Sequence, residues 1–183
     1  IRAGLEGVTR IALEALPTHT KKLAVILHTG GGIVEIAERM VGVMRHLYQE
    51  VVFIVPNVAM SAGTVLAMSG DAIMMDYFSC LGPIDPQVVR DDKLVPALSY
   101  LLQWERFVEK SKNQTLTNAE FLIMSGMDLA ELHKFEMARE LSISLLKQWL
   151  TTYKFKDWQT TATRGLPVDQ QMREDRAKDI ASK

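Results

Sequence analysis

The chain is 183 residues long, with 21 Lys and Arg against 22 Asp and Glu, and it is 48% hydrophobic, 23% charged and 7% aromatic. That composition excludes a disordered chain, and the balanced charge leaves no electrostatic footprint for nucleic acid or acidic lipid. A single cysteine, Cys80, excludes an internal disulfide, and no run nears the roughly 20 apolar residues that cross a bilayer.

The expected compartment is therefore the cytoplasm. The length suits one compact domain, residues 1–153, followed by a polar helical extension, residues 154–183. The first residue is Ile1, not Met, and the chain stops at Ser182-Lys183 inside a helical pattern, so both ends read as cut points. Membrane association through segments outside this chain stays open.

Residues 1–16 place Leu5, Val8, Ile11, Ala12 and Ala15 at helical spacing, and Pro17 ends the segment. Leu23 to Leu27 is a continuous apolar run entering Gly30-Gly31-Gly32, which predicts a strand buried on both faces and then a turn. A helix follows with Ile33, Ile36, Ala37, Met40 and Met44 on its inner side. Val51 to Val55 is a second buried strand, stopped by Pro56-Asn57; Ser61 to Ser69 suits a short helix and Ala72 to Met75 a third strand. Strands separated by helices imply right-handed crossovers and a parallel sheet.

Beyond Leu81-Gly82-Pro83-Ile84-Asp85-Pro86 the pattern becomes helical. Ala97, Leu101, Trp104 and Val108 share one face, and a long periodic segment from Leu129 to Tyr153 carries Leu132, Phe135, Leu141, Leu145 and Trp149. Gly165 and Pro167 precede a charged helix, Asp169 to Ala181.

Two glycine-bearing turns fall at the carboxyl ends of consecutive strands, where open α/β sheets place ligands. In the second, Val58-Ala59-Met60-Ser61-Ala62-Gly63-Thr64, a serine sits among small residues as strand passes to helix. This follows the logic of a nucleophile elbow, with Ala59 where the first glycine would stand. A serine at a helix start is also a common cap, so the turn alone does not decide. The first turn, His28-Thr29-Gly30-Gly31-Gly32, adds weight, because successive glycines let backbone N–H groups approach a developing oxyanion. Gly31 or Gly32 can supply one donor and the Ala62 amide the other. The pattern is neither G-x-G-x-x-G nor a P-loop, so no nucleotide cofactor is expected.

Taken with Ser69-Gly70-Asp71 and Leu81-Gly82-Pro83-Ile84-Asp85-Pro86-Gln87, these turns resemble the serine dehydrogenase proteinase family, relatives of signal peptide peptidase A and, more distantly, of the Clp protease subunit. Members usually read His-Thr-Pro-Gly-Gly, so Gly30 here replaces a proline. The resemblance implies an α/β fold, a ClpP/crotonase-like spiral of ββα units with a mostly parallel sheet and a helical C-terminal part. It implies a serine hydrolase domain over 1–153, Ser61 as nucleophile, a polypeptide substrate and a homo-oligomer, trimer or hexamer.

The general base is the open question. The Clp-type histidine has no counterpart between Ser79 and Ile84, and His19, His28, His46 and His133 have no zinc-site spacing, so no metal is expected. His28 could line the cleft, though a structural hydrogen bond is its commoner role. Signal peptide peptidase A and its relatives use a buried lysine, whose pKa desolvation lowers. Lys112 continues the apolar face of Ala97, Leu101, Trp104 and Val108, so its amine is expected to point inward; Lys93, in a flexible segment after the Gly-Pro-Ile-Asp-Pro turn, is the other candidate. A residue beyond Lys183 is a further source of the base. Asp85 is read as shaping its turn. Two other readings remain at this point: a crotonase-like acyl-CoA enzyme using the same paired amides, and a catalytically inactive scaffold.

Overall fold

The computed structural model describes residues 1–16, 20–84, 87–90 and 93–181, without the side chains of 87–90 and 93–97. Pro17, His19, Asp85, Pro86, Ser182 and Lys183 therefore lie outside the described residues.

The mostly parallel α/β architecture is as expected. Strands β1 (Lys22–Ile26), β2 (Glu50–Val55) and β4 (Ala72–Met75) form one parallel sheet in the order β1-β2-β4, with Leu23 opposite Val51 and Val52 opposite Ala72. A second parallel layer is built from short pieces. β3 (Val58–Ala59) pairs with β5 (Cys80–Leu81), and Thr29 bridges to Ala59. Each long strand is thus followed within a few residues by a short one, and the two layers keep the same lateral order. Helix α2 (Val34–Leu47) follows the first pair and α3 (Ala62–Met68) the second, which is the winding of a ββα spiral.

β2 is the central strand and alternates strictly. Val51, Phe53 and Val55 are buried to 1% exposure or less, against α2, α3 and the end of α6 (Leu129–Trp149). Burial of such side chains stabilises by about 1.5–3 kcal/mol each, so this strand anchors the domain.

β1 departs from the expectation of burial on both faces. Its burial alternates, and Ile26 is 74% exposed, as Met74 on β4 is 59% exposed. Both residues stand in one cross-strand row with Ile54, on the side of the sheet away from α2 and α3. A continuous apolar run cannot by itself distinguish a doubly covered strand from one whose outward residues happen to be apolar.

Residues 87–96, read from sequence as a flexible segment, contain an antiparallel hairpin of β6 (Gln87–Arg90) and β7 (Lys93–Pro96), with Arg90 opposite Lys93. The signal was Val88-Val89 and Leu94-Val95 around Asp91-Asp92, apolar pairs rich in β-branched valine flanking turn formers.

Helix α1 (Leu5–Glu14) packs on α2. Helices α4 (Ala97–Lys112) and α5 (Asn118–Ser125) pack with the first half of α6 around a separate small core of Leu101, Leu132 and Phe135. The second half of α6 enters the main core through Leu145, Leu146 and Trp149. At Leu150–Lys154 the helix widens into a π turn before α7 (Gln170–Ala181), which returns to α6 and buries Ala177 and Ala181.

Candidate active site

The two glycine-bearing turns lie side by side because the second β layer zips them together. The Thr29 N–H donates to the Val58 carbonyl at 3.0 Å, and the Met60 N–H donates to the Thr29 carbonyl at 3.0 Å. Gly63 makes the approach possible, since a Cβ there would run into the Thr29 methyl. Thr64 locks the neighbouring segment, its hydroxyl donating to the Ala59 carbonyl at 2.7 Å and lying 3.0 Å from the Gly82 carbonyl oxygen. A Cβ at Gly82 would strike the Met60 thioether, so close packing extends across all three segments.

Ser61 stands immediately before α3 with φ 51° and ψ −122°. Positive φ in a non-glycine residue costs of order 1–3 kcal/mol and is held only where the surroundings dictate it. Here the Ser61 N–H donates to the Pro83 carbonyl at 3.2 Å, and the Ser61 carbonyl accepts from Thr64 at 2.8 Å and Val65 at 3.2 Å. The peptide groups on both sides of the serine are thereby fixed, and the side chain is set toward the glycine turn. A Cβ added to Gly31 would stand 2.9 Å from the Ser61 Cβ and 3.5 Å from its hydroxyl oxygen. Gly31 has φ 113° and Gly32 φ 139°, conformations that L side chains rarely adopt.

The amides of the site are not equivalent. The Gly31 N–H is taken by the Thr29 hydroxyl at 3.1 Å, and the Gly63 N–H by the Met60 carbonyl at 2.8 Å. Ala62, as first residue of α3, has no intrahelical acceptor for its N–H. Gly32 makes no hydrogen bond through its N–H to the described residues. Of the amides singled out from sequence, those of Gly32 and Ala62 are the two without an acceptor among the described residues. Ile1 lies over the Gly32 side of the turn, accepting from the Ile33 N–H at 2.9 Å and donating through its amine to the Gly31 carbonyl. Ser61 itself is buried, 5% exposed, among these segments.

The lysines are placed differently. Lys112 is exposed at the last turn of α4, beyond the buried stretch that ends at Phe107, and α4 packs on α5 and α6. The inward-pointing amine read from its spacing is not what the fold shows: the apolar stripe leaves the core one turn before Lys112. Lys93 has its backbone in β7, with its side chain outside the description. Lys110 pairs with Glu120, and His28 is exposed beside the first turn.

Ser69-Gly70-Asp71 plays a structural part that sequence reasoning left unassigned. The Ser69 hydroxyl donates to the Leu66 carbonyl at 2.7 Å and closes α3. A Cβ on Gly70 would come 2.7 Å from the Phe53 ring. The Asp71 carboxylate accepts from the Val51 N–H at 2.8 Å and Arg45 at 2.7 Å, and it pairs with Lys156. Burial pushes its pKa up, but the hydrogen bonds from Lys156, Val51 and Arg45 outweigh burial and bring it from 3.8 to about 2. Arg45 also stacks over Tyr153, 3.7 Å from the ring centroid. This cluster ties α2, β2, β4 and the π turn together, at the end of α3 opposite Ser61.

Among the described residues, no group of three or more His, Cys, Asp or Glu could hold a metal ion. No described helix is long and apolar enough to cross a membrane.

The family described as "ClpP-like SDH-type serine proteinase" matches residues 6–181 of the chain. Two proteins of Methanocaldococcus jannaschii are similar over about three fifths of the chain. Uncharacterized protein MJ0137 is 36% identical over 110 residues, 60% of this chain and 37% of the relative. Uncharacterized protein MJ1495 is 34% identical over 107 residues, 58% of this chain and 34% of the relative. The matched stretch thus spans little more than a third of either relative.

Proposed function

Since the chain belongs to the ClpP-like SDH-type serine proteinases, we propose that it is a peptidase that hydrolyses peptide bonds through an acyl-enzyme on Ser61. The observation that carries this reading is the contact between a strained serine and the glycine turn, 2.9 Å from the Ser61 Cβ to a Cβ position on Gly31.

In the proposed reaction the Ser61 hydroxyl oxygen attacks the scissile carbonyl, and the Gly32 and Ala62 amides receive the oxyanion. Donors held ready for the oxyanion are where most of the electrostatic stabilisation of acyl transfer arises. The C–N bond breaks, the leaving amine takes the proton withdrawn from serine, and water then cleaves the ester to release the acid and restore the hydroxyl. A general base must accept the serine proton. Lys112 and Lys93 remain the candidates, and an exposed Lys112 would need desolvation by a neighbouring copy to become basic at neutral pH. Assembly into a homo-oligomer, trimer or hexamer, would supply such cover. The exposed apolar row on the open sheet face supports assembly, and the exposed Cys80 suits a reducing compartment such as the cytoplasm.

A fluorophosphonate probe tests the reading, because only an activated serine reacts with it. The expected result is one label, on Ser61, that disappears in Ser61→Ala, together with a loss of peptide hydrolysis of at least about 10⁴-fold. Absence of labelling in the assembled protein would favour a scaffold that retains the fold. Labelling that persists in Ser61→Ala would place the nucleophile elsewhere.

A further inference from the structure

At the end of α3 remote from Ser61, the chain has a concave site with no part in the proposed hydrolysis. A cavity of about 530 Å³ opens beside the π turn, with Tyr153, Lys154, Phe155, Asp157, Trp158 and Arg176 on its walls. The π turn matters locally: π-helical turns are rare, cost regular helix hydrogen bonding and often mark functional sites. Where this one ends, six successive residues, 153 to 158, line a single cavity.

The walls divide into two kinds of surface. Phe155 and Trp158 form an aromatic corner, ring centroids 5.5 Å apart and planes inclined at 53°. Tyr153 is held by the Arg45 guanidinium over its ring. The charged groups are mostly matched: Asp71 by Arg45 and Lys156, and Arg176 by Asp179 at 2.8 Å. Lys154 is the exception. It is half-buried, its pKa is lowered by burial against a smaller opposing pull from the Asp71 charge, and it makes no hydrogen bond or ion pair to the described residues. A partly desolvated ammonium without an acceptor is an unfavourable arrangement that a bound anion would relieve. Asp157, exposed on the wall, makes no ion pair to a described residue, and it would oppose that anion.

We propose that this cavity binds a small ligand combining a planar aromatic ring with an anionic group, the ring against Phe155 and Trp158 and the anion on Lys154. An aromatic corner contributes dispersion and stacking, and a half-buried ammonium contributes a charge-assisted hydrogen bond. Neither half alone should bind well.

Calorimetric titration of the protein with phenyl phosphate, which carries both halves, tests the site. The expected result is saturable binding at least about tenfold tighter than that of inorganic phosphate or benzyl alcohol. Lys154→Met and Trp158→Ala should each weaken phenyl phosphate about tenfold. Asp157→Asn should tighten it severalfold, a gain that damage to the fold cannot produce. Thermal melts of each variant distinguish lost binding from lost structure, and Lys154→Gln provides a second variant should Lys154→Met melt early. Phenyl phosphate binding no tighter than inorganic phosphate, or unchanged by both Lys154 variants, or weakened by Asp157→Asn, would overturn the proposal.

Discussion

Two regions of this molecule use the same helix in opposite ways. The second half of α6 is sealed into the main core, where Leu146 is fully buried and Trp149 is 4% exposed beside α2, α3 and β2. The first half helps to form a core of only three buried residues with α4 and α5, next to a cavity of about 520 Å³. Helix α5 has no buried residue at all, and Phe121, Leu122 and Ile123 face solvent along it. The α/β half has enough mutually covering layers to hold Ser61 in a strained conformation. The helical half has enough to keep its shape but leaves apolar surface unpartnered. The difference teaches that strain at a site is sustained by dense packing behind it: Ser61 stands in the crowded half, with Gly31, Gly63, Gly70 and Gly82 all at positions where a Cβ would be crowded.

Paired truncations break this comparison most directly. Phe53→Ala removes a fully buried ring from the central strand and should destabilise the whole protein by about 3–5 kcal/mol, in one cooperative transition by denaturant melt. Phe135→Ala opens into an existing cavity and should cost less, about 2–3 kcal/mol. Hydrogen exchange should then show protection lost in α4 and α5 while β2 keeps its own. Equal exchange in both regions would show that the two cores are one cooperative unit.

The Asp71 cluster sharpens the comparison through pH. Its carboxyl has a lower pKa folded than unfolded, so the unfolded chain binds the extra proton as pH falls from about 4 to about 2. The corresponding stability is fully present above pH 4 and is lost as pH falls through that window. Asp71→Asn should melt earlier at neutral pH and show a shallower decline of melting temperature between pH 4 and 2. An unchanged acid profile would mean that other carboxylates control that limb. The smallest effect is expected in the helical half. Thr117 and Glu120 form a capping box at the start of α5, with the Glu120 N–H donating to the Thr117 hydroxyl at 3.3 Å. Thr117→Ala should cost about 1 kcal/mol and leave probe labelling of Ser61 untouched.

Much of the α/β half was legible from residues alone, because its signals are local. Apolar runs ending at Gly30 and Pro56 marked the strands, the small residues around Ser61 marked the turn, and the glycines at 30–32 marked a backbone open to close approach. The helical half was less legible. Helix α5 carries Phe121, Leu122 and Ile123 in succession around its axis, so its exposed hydrophobics give no amphipathic period, although Thr117 and Glu120 announce its start. The face that Lys112 presents could not be read from spacing, because a stripe shows which residues share a side of a helix but not how far along the helix that side stays covered.

The succession of strands and helices in the first half and the positions of both turns follow from the amino-acid pattern, since each depends on residues within a few positions of one another. The side-by-side placement of the two turns depended on tertiary structure: the zipper of Thr29 with Val58 and Met60 joins segments about thirty residues apart. The same holds for Asp71, where Arg45, Val51 and Lys156 converge from three separate parts of the chain. Side-chain chemistry is written into the sequence, but the partner that satisfies or spares each polar group is set by which distant segments the fold brings within about 3 Å.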